Sequence, residues 1–193
     1  MITAIILAAG ESKRMGQPKM LLPWGDGVVL SHAIHIYREA GVEDILVVTG
    51  GARQQVESAI QYLKVKTIYN KDFSNGEMLS SIQYGIRALT LQTQAVLIGL
   101  GDQPQVQAGS VRMICDAYRD TKSEIVAPSF QMRRGHPWLV ARSLWGELLE
   151  LETPQSPRDF LHAHNANIQY VNVDDAGVLA DLDTPEDYQR SRP

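Results

Sequence analysis

Short apolar runs alternate with segments of helical period along the chain. Residues 2–9, 45–49, 67–69, 95–99, 125–127 and 170–173 are brief, rich in Val and Ile, and mostly bounded by Gly, Asn or Pro, as buried strands are. Between them, apolar residues recur at i, i+3, i+4 and i+7: Leu30, Ala33, Ile34, Tyr37; Val56, Ala59, Ile60, Leu63; Val111, Ile114, Cys115, Tyr118. That spacing puts each set on one helix face. Leu79, Ile82, Ile86 and Leu89 form a fourth stripe. Strand then helix, repeated, predicts an α/β fold with a mainly parallel sheet covered on both faces.

The regularity lapses between residues 130 and 157. Gln131, Arg133, Arg134, Gly135, His136 and Pro137 read as an exposed basic turn or hairpin tip, 138–140 as an added strand, and 141–151 and 156–164 as helices. Thr184-Pro185-Glu186-Asp187 has a capping hydroxyl, proline at the first helical position and a carboxylate three after the cap, so a last helix starts there. No internal repeat, low-complexity tract or linker divides the chain. A single domain over 1–193 is expected, with an insert at roughly 129–165.

Composition narrows the function classes. At 44% hydrophobic and 21% charged residues the 193-residue chain is an ordinary globular one, not a disordered tract or a rod. A net charge of −4 argues against broad nucleic-acid binding, so an anionic ligand must be held by local cations. The single cysteine, Cys115, excludes an internal disulfide and lies on an apolar helix stripe as core. The first apolar run is too short to span a bilayer and its cations follow it, unlike those of a signal peptide. These features point to the cytoplasm and to no membrane partner.

Ligands of parallel sheets bind beyond the carboxyl ends of the strands, so two loops carry the chemistry. The first, Gly10 to Lys19, sets Gly10, Ser12, Lys13, Arg14, Gly16 and Lys19 after a buried strand. Glycine lets backbone N–H groups approach a ligand, and the three cations neutralise a polyphosphate. It is neither a Walker loop nor a dinucleotide fingerprint. In the second, Gly101-Asp102-Gln103-Pro104, Asp102 is an exposed loop carboxylate suited to Mg²⁺ beside a triphosphate, although a plain turn has the same composition. Asp181 and Asp183 precede a helix, where capping explains them as readily as function does. His162 and His164 diverge on a helix, His32 and His35 lack a third ligand, and Glu39 and Glu57 read as solvated.

The stretch Leu7-Ala8-Ala9-Gly10-x-Ser12-x-Arg14-Met15-Gly16-x-x-Lys19-x-Leu21-Leu22-Pro23 resembles the signature loop of the nucleotidyltransferases of molybdenum cofactor biosynthesis. Gly76 with Ser80-Ser81-Ile82-x-x-Gly85, Gly101-Asp102-Gln103-Pro104, Arg134-Gly135-His136-Pro137 and Asp181 to Tyr188 follow in the family's order over nearly the whole chain. The resemblance implies a Rossmann-like three-layer α/β/α sandwich of the nucleotide-diphospho-sugar transferase type. It also implies Mg²⁺-dependent transfer of CMP from CTP to molybdopterin with release of pyrophosphate. On it, Leu7, Ala8, Ala9, Gly10, Ser12, Lys13, Arg14, Lys19, Ser81 and Gly101 bind the nucleotide. Arg14, Lys19 and Asp102 are catalytic, Asp102 and Asp183 hold the metal, and Arg134, Gly135, His136 and Pro137 face the acceptor. Ala9 favours CTP, because guanylyl relatives usually carry glycine there. Transient contact with a molybdoenzyme or its chaperone is a further implication. Guanylyl transfer, a sugar-1-phosphate acceptor and a non-catalytic cofactor carrier are the alternatives.

Overall fold

The structure, a computed structural model, describes residues 1–75 and 77–193. Strand β1 (Ile2–Ala8) leads through the signature loop to a two-stranded hairpin, β2 (Pro23–Trp24) and β3 (Gly27–Val28). Then come α1 (Val29–Glu39), β4 (Asp44–Thr49), α2 (Arg53–Ile60), β5 (Lys66–Tyr69), α3 (Glu77–Arg87), β6 (Ala95–Leu100) and α4 (Ala108–Thr121). The last third holds β7 (Ile125–Phe130), β8 (Arg133–Arg134), β9 (Trp138–Ala141), α5 (Trp145–Glu150), α6 (Pro157–Ala163), β10 (Ile168–Asn172) and α7 (Pro185–Ser191). Each run expected as a strand is one, displaced by a residue or two except that β7 runs on to Phe130. The 141–151 helix begins instead as a 3₁₀ turn, Arg142–Leu144, before α5.

The main sheet has the order β10-β7-β9-β6-β1-β4-β5, with β8 paired to β7. β1 runs parallel to both β4 and β6, β5 parallel to β4, and β10 parallel to β7. β9 is antiparallel to both neighbours, β6 and β7, so the insert is hydrogen-bonded into the sheet's interior.

Alternation along β1 sorts the two cores. Ala4, Ile6 and Ala8 pack with α1, α2 and α4 through Leu30, Ile34, Val56 and Ile114. Ile5, Leu7 and Ala9 pack on the other face with α3, α5 and α6 through Ile82, Trp145 and Phe160. The result is the expected three-layer sandwich. Cys115 is fully buried, and burial pushes its thiol up to about 11, as befits a core residue. A small third core, Met15, Leu22, Trp24, Val29, Leu182 and Tyr188, pins the signature loop to the C-terminal segment. The chain order changes direction between β1 and β6, and such a switch leaves a crevice outside the strand ends.

Candidate active site

The loop beyond β1 closes on itself. Ser12 adopts a left-handed conformation, its carbonyl accepts from the N–H groups of Met15 and Gly16, and its Oγ accepts from Lys19 N–H at 3.0 Å. Met15 anchors the loop in the third core. The Ser12 O–H proton is left to donate to a ligand.

Lys19 is the centre of the site. Its Nζ contacts Asp102 Oδ2 and, at 3.2 Å, Asp183 Oδ1. Burial by itself would lower the ammonium's pKa, but the charges and hydrogen bonds of Asp102, then of Asp183, outweigh it and hold the pKa above its usual value. Arg14 Nη2 reaches Asp183 Oδ2 at 3.0 Å with its side chain 70% exposed, while Lys13 turns away to Glu11 at 2.8 Å. Leu182 N–H donates to the Asp102 carbonyl, and Gln103 Nε2 donates to Asp181 Oδ1 at 2.8 Å. Burial, then the Asp102 charge, raise the Asp181 pKa. Two segments distant in sequence thus present two carboxylates to one ammonium, with Asp181 beside them held by Gln103.

These groups line a cavity of about 340 Å³ with Leu7, Ala9, Gly10, Met20, Phe73, Met78, Ser81 and Leu100. Ala9 has room there because residue 50 is glycine: a Cβ at Gly50 would lie 2.3 Å from the Ala9 carbonyl oxygen and 2.8 Å from its methyl. Ser81 is buried and accepts from Asn70 Nδ2 at 3.0 Å. Asn70 joins Thr49 at the end of β4 to the first turn of α3.

A second cavity, about 630 Å³, shares Met78 with the first and is lined by Arg133, Arg134, Gly135, His136, Trp138, Ser156 and Arg158. The hairpin between β7 and β8 turns at Gln131 and Met132, both left-handed. Arg134 is half-buried, and Gly135 passes so close to Val178 that a Cβ would meet its carbonyl oxygen at 2.3 Å. His136 N–H donates to that same carbonyl at 2.8 Å. Burial of the His136 ring lowers its pKa to about 4 against a backbone bond to Ile98, so the imidazole is neutral at pH 7. Its Nδ1 is buried with no hydrogen-bond partner among the described residues.

The structure brings Leu7, Ala9, Gly10, Lys19, Ser81, Asp102 and Asp183 to one cavity and Arg134, Gly135 and His136 to the other. Ala8 faces the opposite core, Gly101 packs on Leu30 and Met20, and Pro137 is buried. Three expectations are corrected. Asp102 is 8% exposed rather than an exposed loop carboxylate, because Lys19 and residues 181–183 close over it. Residues 134–137 are not the exposed tip, because β8 pairs with β7 and Val178 covers Gly135. Glu57 is not simply solvated: its Oε1 accepts from Thr49 Oγ1 and Arg53 Nε. His164, expected to diverge from His162, contacts Glu147 at 2.9 Å. Among the described residues no three metal-ligating side chains of the kind His, Cys, Asp or Glu cluster as a metal site. Gly76, part of the resemblance, lies outside the described residues.

A family model described as the MobA-like NTP transferase domain matches residues 4–168. The chain belongs to this family. Molybdenum cofactor cytidylyltransferase of Escherichia coli strain K12 is 28% identical to this MobA-like chain, over 97% of it and 93% of the relative. Nicotine blue oxidoreductase of Paenarthrobacter nicotinovorans is 26% identical, over 98% and 95%. The crystal structure of Rv0371c from Mycobacterium tuberculosis H37Rv matches with a TM-score of 0.87 at 31% identity, over 98% of this chain and 95% of that one. A complex of Rv0371c with manganese matches at 0.83 and 28% identity, over 98% and 96%. The MobA-like chain is accordingly a nucleotidyltransferase.

Sequence reasoning missed Phe73, Met78, Asn70 and Arg158, and saw Arg133 only as part of a basic tip. Phe73 and Met78 fall in no apolar stripe, and nothing local links Arg158, on α6, to the 134–137 motif. Asn70 alone left a signal, a polar residue directly after a strand.

Proposed function

We propose that this protein transfers CMP from CTP to the terminal phosphate of molybdopterin and releases pyrophosphate. The observation that carries the reading is the Lys19, Asp102 and Asp183 cluster on the floor of a cavity at the switch point, next to an arginine-lined cavity. The likeness to the E. coli cytidylyltransferase supports the acceptor. CTP and a free cofactor as substrates fit a reaction in the cytoplasm. No described helix is long and apolar enough to cross a membrane.

In this reading the base lies against Ala9 and Gly10, flanked by Phe73, Met78 and Ser81. The triphosphate takes Lys19, Arg14, Ser12 and Lys13. Asp102 and Asp183 supply hard oxygen donors, and the seating of an ammonium between them supports a cation at that position. They are the residues that would hold Mg²⁺, with Asp181 kept aside by Gln103. Bound there, the ion supplies neutralisation of phosphate charge. An oxygen of the acceptor's phosphate attacks the α-phosphorus in line, and the bond to the pyrophosphate oxygen breaks. The nucleophile is already anionic, so the residues need only position and neutralise.

Incubation with Mg²⁺, molybdopterin and each of the four NTPs, reading pyrophosphate, tests the proposal. CTP should be preferred, and Ala9→Gly should admit GTP. Equal rates with CTP and GTP in the wild type would remove the cytidylyl assignment. Binding without pyrophosphate release would make the protein a carrier. Release only with a sugar 1-phosphate would move it to another acceptor.

The acceptor cavity has its own test. A charge-assisted hydrogen bond contributes about 1.5–3 kcal/mol, so Arg134→Gln with Arg158→Gln should raise the molybdopterin KM by tenfold or more. CTP affinity, read by calorimetry, should stay within about twofold, well under the tenfold that 1.4 kcal/mol represents. Unchanged acceptor kinetics would return both arginines to the solvated surface. Lost CTP affinity would put the cavity on the nucleotide side.

A further inference from the structure

Lys19 occupies the position that the proposed function gives to the divalent cation. Its backbone is fixed: the N–H donates to Ser12 Oγ, and the next residue, Met20, is 4% exposed. Its side chain is only 14% exposed, and its ammonium touches one carboxylate from the loop after β6 and one from the segment before α7. An ammonium and a divalent ion cannot share that gap, since like charges a few ångströms apart repel strongly at low dielectric. A bare ion must therefore evict Lys19 from both ion pairs and leave it without an anionic partner in a largely buried place. A nucleotide complex of the ion removes that obstacle, because the triphosphate offers Lys19 a replacement for the carboxylates it gives up. The cavity that would hold the triphosphate is lined by Lys19 itself, so the exchange needs only side-chain rotation.

We propose that Lys19 is a built-in occupant of the cation position, so that the site takes the divalent ion as its nucleotide complex and resists the free ion. The inference rests on the metal assignment to Asp102 and Asp183. It makes ion and nucleotide binding mutually dependent, with Lys19 as the coupling element.

Mn²⁺ binding to the whole protein, followed by the electron paramagnetic signal of the free ion, is the test, with and without α,β-methylene-CTP. The wild type should bind Mn²⁺ weakly alone and far more tightly with the analogue. Lys19→Gln and Lys19→Met, checked for folding by circular dichroism, should bind Mn²⁺ alone at least about tenfold more tightly than wild type and lose most of the analogue's enhancement. Lys66→Gln, which removes a cation paired with Asp44 at the opposite end of the strands, is the control for lost positive charge and should change Mn²⁺ affinity by no more than about threefold. Equal Mn²⁺ affinity in wild type and both Lys19 variants overturns the inference, as does a Lys66→Gln effect matching theirs. If the analogue still recruits Mn²⁺ in those cases, the metal assignment stands alone. If it recruits none to any variant, the metal assignment falls and takes the inference with it.

Discussion

Asp102→Asn should lower turnover at saturating CTP and Mg²⁺ by at least about a hundredfold, a loss of ~2.7 kcal/mol in the barrier. Asp102, just after β6, faces the cavity proposed for the nucleotide and holds Lys19, so its neutralisation removes both a proposed cation ligand and the partner that orients the lysine. Because it is buried, the substitution also acts on stability. Lys19 keeps only Asp183, and the asparagine leaves a weaker acceptor, so the fold should lose about 1–3 kcal/mol. That is within the 5–15 kcal/mol typical of a domain, and the protein should remain folded. Pyrophosphate release and a thermal melt on the same sample separate the two effects. A variant that melts normally and retains more than about a tenth of the rate, a loss under ~1.4 kcal/mol, would remove Asp102 from the chemistry.

Trp138→Ala should destabilise the fold by about 3–5 kcal/mol, the range for deleting a large buried aromatic. Trp138 is 1% exposed on β9, opposite Ile98 of β6, and its ring lies 6.3 Å from that of Phe160 on α6. Its removal opens a cavity between the sheet and α6 and loosens the helix that carries Arg158. Urea unfolding should show the midpoint fall with a single transition, because β9 is hydrogen-bonded between β6 and β7 and cannot unfold apart from them. Two transitions would mean that the 129–165 insert is a separate unit, and a loss below about 1 kcal/mol would mean that the site collapses around the missing ring.

Local pattern carried the elements. The strand runs, the stripes at 3.6-residue period and the capping box at Thr184 all depend on residues a few positions apart, and each appears in the structure with small boundary shifts. The signature loop and the Gly-Asp-Gln-Pro loop were legible as facing a crevice because parallel strands expose their carboxyl ends to one whatever the rest of the chain does. Polar or charged sequence did not by itself disclose depth. Asp102 and His136 look like surface residues in sequence, yet their exposure is set by what folds over them, residues 181–183 for one and Val178 for the other.

By itself the sequence determined the α/β class, the order of strands and helices, and the two loops that meet at the first cavity, because periodicity and turn composition are short-range properties. Tertiary structure decided which carboxylate shares a cation with which. Asp102 and Asp183 lie 81 residues apart in sequence and meet on Lys19 only because a small core of Met15, Leu182 and Tyr188 folds the C-terminal segment onto the first loop. It also joined Arg134 to Arg158, since only the insertion of β9 between β6 and β7 brings the hairpin and α6 to the two sides of one cavity. Such meetings follow from sheet order and side-chain packing between distant segments, and neither leaves a trace in the local spacing of residues.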